Sequence, residues 1–198
     1  MLKLSYNNFL REAGIDEAGR GCLAGPVFAA AVILPNDFDV KEINDSKKIS
    51  ETKRYELRKV IEKYALDWAI AFCTNEEIDK INILKASILA MHRCLEKLTT
   101  VPDFIIIDGN MFYPFKNVPY KTIVKGDSTY MNIAAASILA KTYRDEYMIR
   151  IHEEFPMYKW DKNKGYPTYA HIKAIEKYGL SKYHRKSFHL KSQQLSLF

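Results

Sequence analysis

At 198 residues, 47% of them hydrophobic and 27% charged, the chain can bury one core of ordinary size and is too short for two large domains. Lys and Arg total 30 against 24 Asp and Glu, and the resulting charge of +6 suits a polyanionic partner, though it is also what a solvated surface carries. Cys22, Cys73 and Cys94 are far apart, without a CxxC or a neighbouring His pair, which argues against a zinc site and a disulfide framework.

In chain order, "EAGIDEAGRGCLAGPVFAAAVILP" reads as a strand, a glycine-rich connection and a second, almost wholly apolar strand stopped by Pro35. So short a connection predicts an antiparallel pair. Neither "VFAAAVIL" nor the later "IAAASILA" is long enough for a membrane span, and "MLKLSYNNFLREAG" lacks a signal-peptide core, so a soluble, cytoplasmic protein is expected. After the loop "NDSKKIS", Ser50 is placed to cap a helix from Glu51 to about Leu66, with Tyr55, Leu57, Val60, Ile61 and Tyr64 at helical spacing. "DWAIAFCT" is a strand, "EEIDKIN" a short helix and "ILKASILAMHRCLEKLT" a longer one with an apolar stripe. "DFIIIDGN" reads as a buried strand ending in Asp108, and "YKTIVKGD" as another ending in Asp127. A long helix from about Met131 to Phe155 begins with small residues, and "PTYAHIKAIEKYG" is a last helix closed by Gly179. The basic "SKYHRKSFHLKS" and the ending "QQLSLF" follow. An α/β architecture is predicted, a mixed sheet covered by helices over residues 1–190, with a tail over 191–198.

Asp16, Asp108 and Asp127 each end or follow an apolar strand, the place where α/β sheets form ligand sites. Carboxylates converging there repel unless cations sit between them, and all-oxygen ligation favours Mg²⁺ or Mn²⁺. Two such ions roughly 3.5–4 Å apart can activate water and stabilise the leaving oxygen in phosphodiester hydrolysis. Glu17 follows Asp16 directly and should point to the opposite face, so it joins the site either through a bulge or through its main-chain carbonyl. A single Asp at such a position also serves as a helix cap, as Asp127 before Ser128 could, and Asp145 is read as a structural partner of a nearby Arg or Lys.

"GIDEAGRG" followed by "GPV", then "DSKK", "IIDGN", "KGDSTYMNIAAASILAKTYRDEYM", "NKGYPT" with a following His, and "HRKSF" stand in one order from Gly14 to Phe188. In these blocks the chain resembles the type 2 ribonuclease H family, ribonuclease HII, in its bacterial form. The resemblance implies a ribonuclease H-like fold with a central five-stranded mixed sheet, its first three strands antiparallel, and a helical C-terminal part beside the substrate groove. It implies an endoribonuclease that cuts, with two divalent ions, on the 5′ side of ribonucleotides embedded in duplex DNA and cleaves RNA in RNA–DNA hybrids, leaving 3′-hydroxyl and 5′-phosphate ends. The family's catalytic, metal-holding carboxylates fall on Asp16, Glu17, Asp108 and Asp127, its glycine-arginine-glycine motif on Gly19, Arg20 and Gly21, and its substrate-sensing tyrosine on Tyr166.

On that reading Gly19 and Gly21 let main-chain amides and carbonyls approach a 2′-hydroxyl, Arg20 contacts a phosphate, and the Tyr166 ring presses on the deoxyribose after the ribonucleotide. Lys47, Lys48, Lys125, Lys141, Arg185 and Lys186 are candidates for phosphate contacts; His184, Ser187 and Phe188 either steady the C-terminal part against DNA or pack locally. His92, His152, His171 and His189 are read as helix or tail residues without a metal role.

Gln194, Leu195, Leu197 and Phe198 resemble the short peptide by which bacterial replication and repair proteins dock on the sliding clamp; folding back onto the domain is the alternative. A monomer is expected. Rival readings are a type 3 ribonuclease H, which normally carries an additional N-terminal domain and lacks the glycine-arginine-glycine element, and a non-catalytic nucleic-acid-binding module, which would have lost a carboxylate. A P-loop or dinucleotide site is excluded because neither glycine signature occurs.

Overall fold

The computed structural model describes residues 2–7, 11–38, 43 and 49–188. Strands β1 (Glu12–Ala18) and β2 (Val27–Ile33) form the expected antiparallel pair, in unbroken register from Ala13 opposite Ile33 to Ala18 opposite Phe28. Helix α1 (Glu51–Tyr64) starts at Ser50, whose hydroxyl accepts the Lys53 N–H at 3.3 Å. It ends short of Leu66 because Ala65 turns extended and the Leu66 N–H bonds the Ile33 carbonyl at 2.8 Å, drawing the chain into β3 (Asp67–Cys73).

Helices α2 (Asn75–Ile81) and α3 (Ile83–Lys97) follow, then strands β4 (Phe104–Asp108) and β5 (Tyr120–Ile123). The long helix α4 (Met131–Glu154), the short α5 (Trp160–Asn163) and α6 (Tyr169–Tyr178) complete the order, α6 ending at Gly179 with φ 77°. The strands lie in the order β3-β2-β1-β4-β5, with β1–β2 and β2–β3 antiparallel and β1–β4 and β4–β5 parallel. This is the five-stranded mixed sheet of a ribonuclease H-like fold.

Two stretches depart from the expected elements. β5 stops at Ile123, and Asp127 lies beyond it in a single 3₁₀ turn, Gly126–Ser128, entered through Lys125 in the left-handed region at φ 58°. Left-handed Lys125 cannot continue a pleat, so Asp127 is a turn residue rather than a strand end. The second is α5, too short for its periodicity to show in the sequence.

Strand alternation assigns the two sheet faces. Ala13, Ile15, Val27, Ala29, Ala31 and Ile33 share one core with α3 residues, whereas Ala30 and Val32 face a second core with Leu57 and Ile61 of α1 and the small residues of α4. Gly14 permits that second packing. A Cβ there would stand 2.2 Å from the Asn132 carbonyl carbon, so only glycine lets α4 rest on the centre of β1. Asp16, two residues further on, therefore emerges beside α4. The C-terminal helices pack through Trp160, Tyr158, Ala174 and Ile175 against Met148 and Ile151 of α4 and against Leu23 and Ala24 after β1. Among the described residues no helix is long and apolar enough to cross a membrane.

Candidate active site

The C-terminal end of β1, the end of β4 and the first half of α4 enclose a cavity of about 270 Å³ lined by Asp16, Glu17, Ala18, Gly19, Arg20, Gly21, Arg54, Asp108, Ser137, Lys141 and Tyr166. Asp16 is 6% exposed and accepts the Glu17 N–H at 2.7 Å. Burial first, then the charges of Glu17 and Asp108, hold its carboxyl well above the ordinary carboxylate range, against bonds from Ser137 and the Glu17 amide. Burial likewise raises Glu17, opposed by Arg20, whose Nη1 lies 3.1 Å from the Glu17 carboxylate. No bulge brings Glu17 in: its register opposite Ala29 is regular, and its carboxylate reaches the cavity from the strand's end.

Asp127 is not on this lining. It is buried in the turn behind Asp108, tied to it by the Gly126 N–H, which donates to Asp108 Oδ1 at 2.7 Å. The structure thus brings together three of the four expected acids. Their carboxylates and the Ser137 hydroxyl form an all-oxygen donor set, which fits Mg²⁺ or Mn²⁺ and not zinc. Among the described residues no group of three or more His, Cys, Asp or Glu side chains is gathered tightly enough to hold a metal ion as it stands. The fit rests on the donor type and on the cost burial places on this gathered negative charge, which Arg20 offsets at Glu17.

The two glycines of the motif do different things. Gly19 has φ 96°, and a Cβ on it would meet Arg144 Nε at 1.9 Å; Gly21 is exposed, and a Cβ there would meet nothing within 4 Å. Gly19 is bare for packing against the protein, whereas Gly21 leaves the cavity side open. Arg144, fully buried on α4, donates to the carbonyls of Pro26 (3.0 Å), Lys164 (2.9 Å) and Ala24 (3.2 Å). Arg185 donates to those of Gly25 (2.9 Å), Arg20 (2.8 Å) and Gly19 (2.7 Å).

The expected phosphate contact by Arg185 is therefore corrected. At 1% exposed, its guanidinium is spent on main-chain carbonyls because the loop after β1 closes over it. The same bonds turn the Gly19 and Arg20 carbonyls toward the buried guanidinium.

Tyr166 is 39% exposed on the cavity wall, near the buried Cys22 thiol, with its ring 5.9 Å from both Lys141 Nζ and the Arg144 guanidinium carbon. Lys141 also pairs with Asp145 at 2.6 Å, the structural partnership expected of Asp145. Lys125 and Lys186 are exposed off the lining, and Ser187 bonds Asp79. Lys47, Lys48, His189 and the tail residues Gln194, Leu195, Leu197 and Phe198 lie outside the described residues. The three cysteines are free and buried. Sequence reading missed Arg54, Ser137, Arg144 and Cys22; its available signal was the polar series Ser137, Lys141, Arg144 at helical spacing on α4.

A sequence profile described as Ribonuclease HII matches residues 13–191, spanning every element of this site. The chain belongs to the ribonuclease HII family. It is 60% identical over 186 residues to the ribonuclease HII of Parabacteroides distasonis, covering 94% of each chain, and 58% identical over 190 residues to that of Bacteroides thetaiotaomicron, covering 96% of this chain and 95% of that one. As a ribonuclease HII family member it is a metal-dependent ribonuclease H, an endonuclease acting on RNA–DNA substrates.

Solved structures share the fold at low identity. The ribonuclease HII of Archaeoglobus fulgidus, solved in a complex with PCNA, has a TM-score of 0.76 at 24% identity, covering 96% of this chain and all of that one. Bst-RNase HIII, solved in complex with Mn²⁺, has a TM-score of 0.74 at 20% identity, covering 95% of this chain and 70% of its own.

Proposed function

We propose that this ribonuclease HII family member incises duplex DNA on the 5′ side of embedded ribonucleotides, as well as cleaving RNA in RNA–DNA hybrids, and leaves 3′-hydroxyl and 5′-phosphate ends. The observation that carries the reading is the shared cavity, whose lining holds Asp16, Glu17 and Asp108 together with Gly19, Arg20, Gly21 and Tyr166. Asp16, Glu17, Asp108 and, by a rearrangement of its turn, Asp127 would hold two Mg²⁺ or Mn²⁺ ions. When bound, such ions supply an activated water and charge stabilisation at the leaving oxygen.

The chain's own residues orient and select the substrate. The amides of Gly19, Arg20 and Gly21, with the Gly21 carbonyl, meet a 2′-hydroxyl that is both donor and acceptor. Arg20, Arg54 and Lys141 offer positive charge to the phosphates beside the cavity, and Lys47 and Lys48 belong to the same proposed contact set. The Tyr166 ring meets the deoxyribose that follows the ribonucleotide, where a second 2′-hydroxyl would crowd it. Incision assays on a duplex with one ribonucleotide, an all-DNA duplex and an RNA–DNA hybrid, with Mg²⁺, Mn²⁺ or chelator, test this reading. Cutting of the all-DNA duplex at a comparable rate overturns it.

The enzyme is further proposed to be a cytoplasmic monomer with a catalytic domain through residue 190 and a docking tail over 191–198. Gln194 at the start and Leu197-Phe198 at the end suit an apolar pocket on a bacterial sliding clamp, with Leu195 alongside. The PCNA complex of the Archaeoglobus protein supports clamp docking as a second property.

A further inference from the structure

Behind Tyr166 lies a buried chain of hydrogen bonds that ends on its backbone. His171 is 0% and His184 1% exposed, and their Nε2 atoms are 3.1 Å apart. His171 Nδ1 is 2.9 Å from the Tyr166 carbonyl oxygen, which can only accept, so Nδ1 carries the proton. Its Nε2 must then be bare, and Trp160 Nε1–H donates to it at 3.0 Å. At the far end the Ser181 N–H donates to His184 Nδ1 at 2.9 Å, which leaves His184 as its Nε2–H tautomer, a second donor to His171 Nε2. Every proton in the chain is thereby assigned, in one direction, from Ser181 to Tyr166.

The chain also closes the short loop that carries Tyr166. The Tyr166 carbonyl accepts the Thr168 N–H (2.8 Å) besides His171 Nδ1–H, the Tyr166 N–H donates to the Asn163 carbonyl (2.9 Å), and the Thr168 hydroxyl caps α6 by accepting the His171 N–H (3.3 Å). His171 is the one side chain in this set that joins the Tyr166 backbone to the buried aromatic core. Trp160, Tyr158 and His184 pack around it, with the Tyr158 and His184 rings 4.7 Å apart.

We propose that His171 is a positioning residue for Tyr166 and that His184 selects the tautomer in which His171 can act, so that the pair sets the preference for a lone ribonucleotide in DNA over continuous RNA. The proposal rests on the reading of Tyr166 as the ring that meets the deoxyribose. A half-exposed tyrosine can report the presence of one hydroxyl only if its backbone is fixed to a fraction of an ångström, which a donor anchored in the core provides. His184 acts through His171 because the alternative tautomer would set two N–H groups of the His171–Trp160–His184 cluster against each other or leave the Tyr166 carbonyl without this donor.

The test compares kcat/KM on a duplex with one ribonucleotide and on an RNA–DNA hybrid for wild type, Tyr166→Ala, His171→Leu and His171→Asn, whose amide can replace Nδ1–H. The expected result is that His171→Leu loses at least tenfold more on the lone ribonucleotide than on the hybrid, as Tyr166→Ala does, and that His171→Asn restores most of the ratio. Equal losses on both substrates for His171→Leu, with Tyr166→Ala still selective, overturn the positioning role alone. If Tyr166→Ala is itself unselective, the reading of Tyr166 fails and the proposal with it. Should His171→Leu not fold, ¹H–¹⁵N imidazole spectra of the wild type decide: protons on His171 Nδ1 and His184 Nε2 support the assignment, and a proton on His171 Nε2 at neutral pH overturns it.

Discussion

Arg185 Nη2 donates to the Gly19 carbonyl at 2.7 Å across 166 residues of sequence, so the basic segment after α6 fixes the glycine motif that opens the active site. Two more bonds, to Arg20 and Gly25, spread the guanidinium fork over the loop. Arg185→Lys keeps the charge but cannot reach three carbonyls at once. The expected outcome is a loss of about 3 kcal/mol in urea unfolding, from carbonyls left buried and unpaired, with a fall in kcat/KM on every substrate.

The two glycines should respond oppositely to alanine. Gly19→Ala places a methyl against the Arg144 guanidinium at φ 96° and should destabilise by about 2 kcal/mol or more. Gly21→Ala meets no atom within 4 Å, so unfolding should shift by less than about 0.5 kcal/mol while incision falls at least tenfold, the methyl standing where the substrate backbone approaches. Thermal melts and single-turnover rates on the two variants distinguish these effects.

Asp16→Asn should abolish turnover by several orders of magnitude, and Asp108→Asn likewise. Because burial and the charges of Glu17 and Asp108 disfavour an ionised Asp16, the neutral isostere should also stabilise the metal-free protein by about 1 kcal/mol at pH 7. Differential scanning calorimetry with chelator checks the sign: a lower melting temperature in Asp16→Asn would contradict the electrostatic account of the site.

The buried histidine pair gives the fold an acid limit. From an ordinary value of 6.5, burial lowers His171, and burial with the neighbouring His171 lowers His184 to about 4. The unfolded chain takes up protons below pH 6.5 that the fold refuses, so this stability is whole above pH 6.5 and drains away down to about pH 4. The raised Asp16 and Glu17 act in the opposite direction, since the fold protonates them more readily. They are common to wild type and His184→Gln, so the difference between the two stability curves reports His184 together with its coupling to His171. Wild type should lose on the order of 2 kcal/mol more than His184→Gln across that window in urea titrations.

Much of this architecture was legible in residue order. The strand alternation of β1 and β2, the Ser50 cap and the Gly179 stop all follow from local chemistry. Asp16 and Asp108 were legible as cavity residues because each stands at or near the end of an apolar strand, where α/β sheets form ligand sites, and each sits in a motif block. Asp127 was misplaced because a left-handed lysine, the residue that breaks β5 before it, carries no compositional mark. Arg185 was misread for a related reason: its partners are main-chain carbonyls 160 to 166 residues away, which no local pattern announces. His171 looked like an ordinary helix residue because its meaning lies in contacts with Tyr166, Trp160 and His184.

Deleting residues 194–198 should abolish binding to purified bacterial sliding clamp, of roughly micromolar affinity for so short a peptide, while sparing incision of short free duplexes. Surface plasmon resonance with immobilised clamp measures the first and a gel assay the second. Equal clamp binding by truncated and full-length protein would remove the tail from this role.

The central claim is that one cavity joins carboxylate-held metal to recognition of a single 2′-hydroxyl in DNA. The most direct measurement is the site of incision on a DNA duplex containing one ribonucleotide, set beside the same duplex without it, in Mg²⁺ or Mn²⁺. The account predicts a single metal-dependent cut 5′ to the ribonucleotide, with a 3′-hydroxyl end, and no cut in the all-DNA control. A cut on the 3′ side, or cleavage of both duplexes at similar rates, would contradict it.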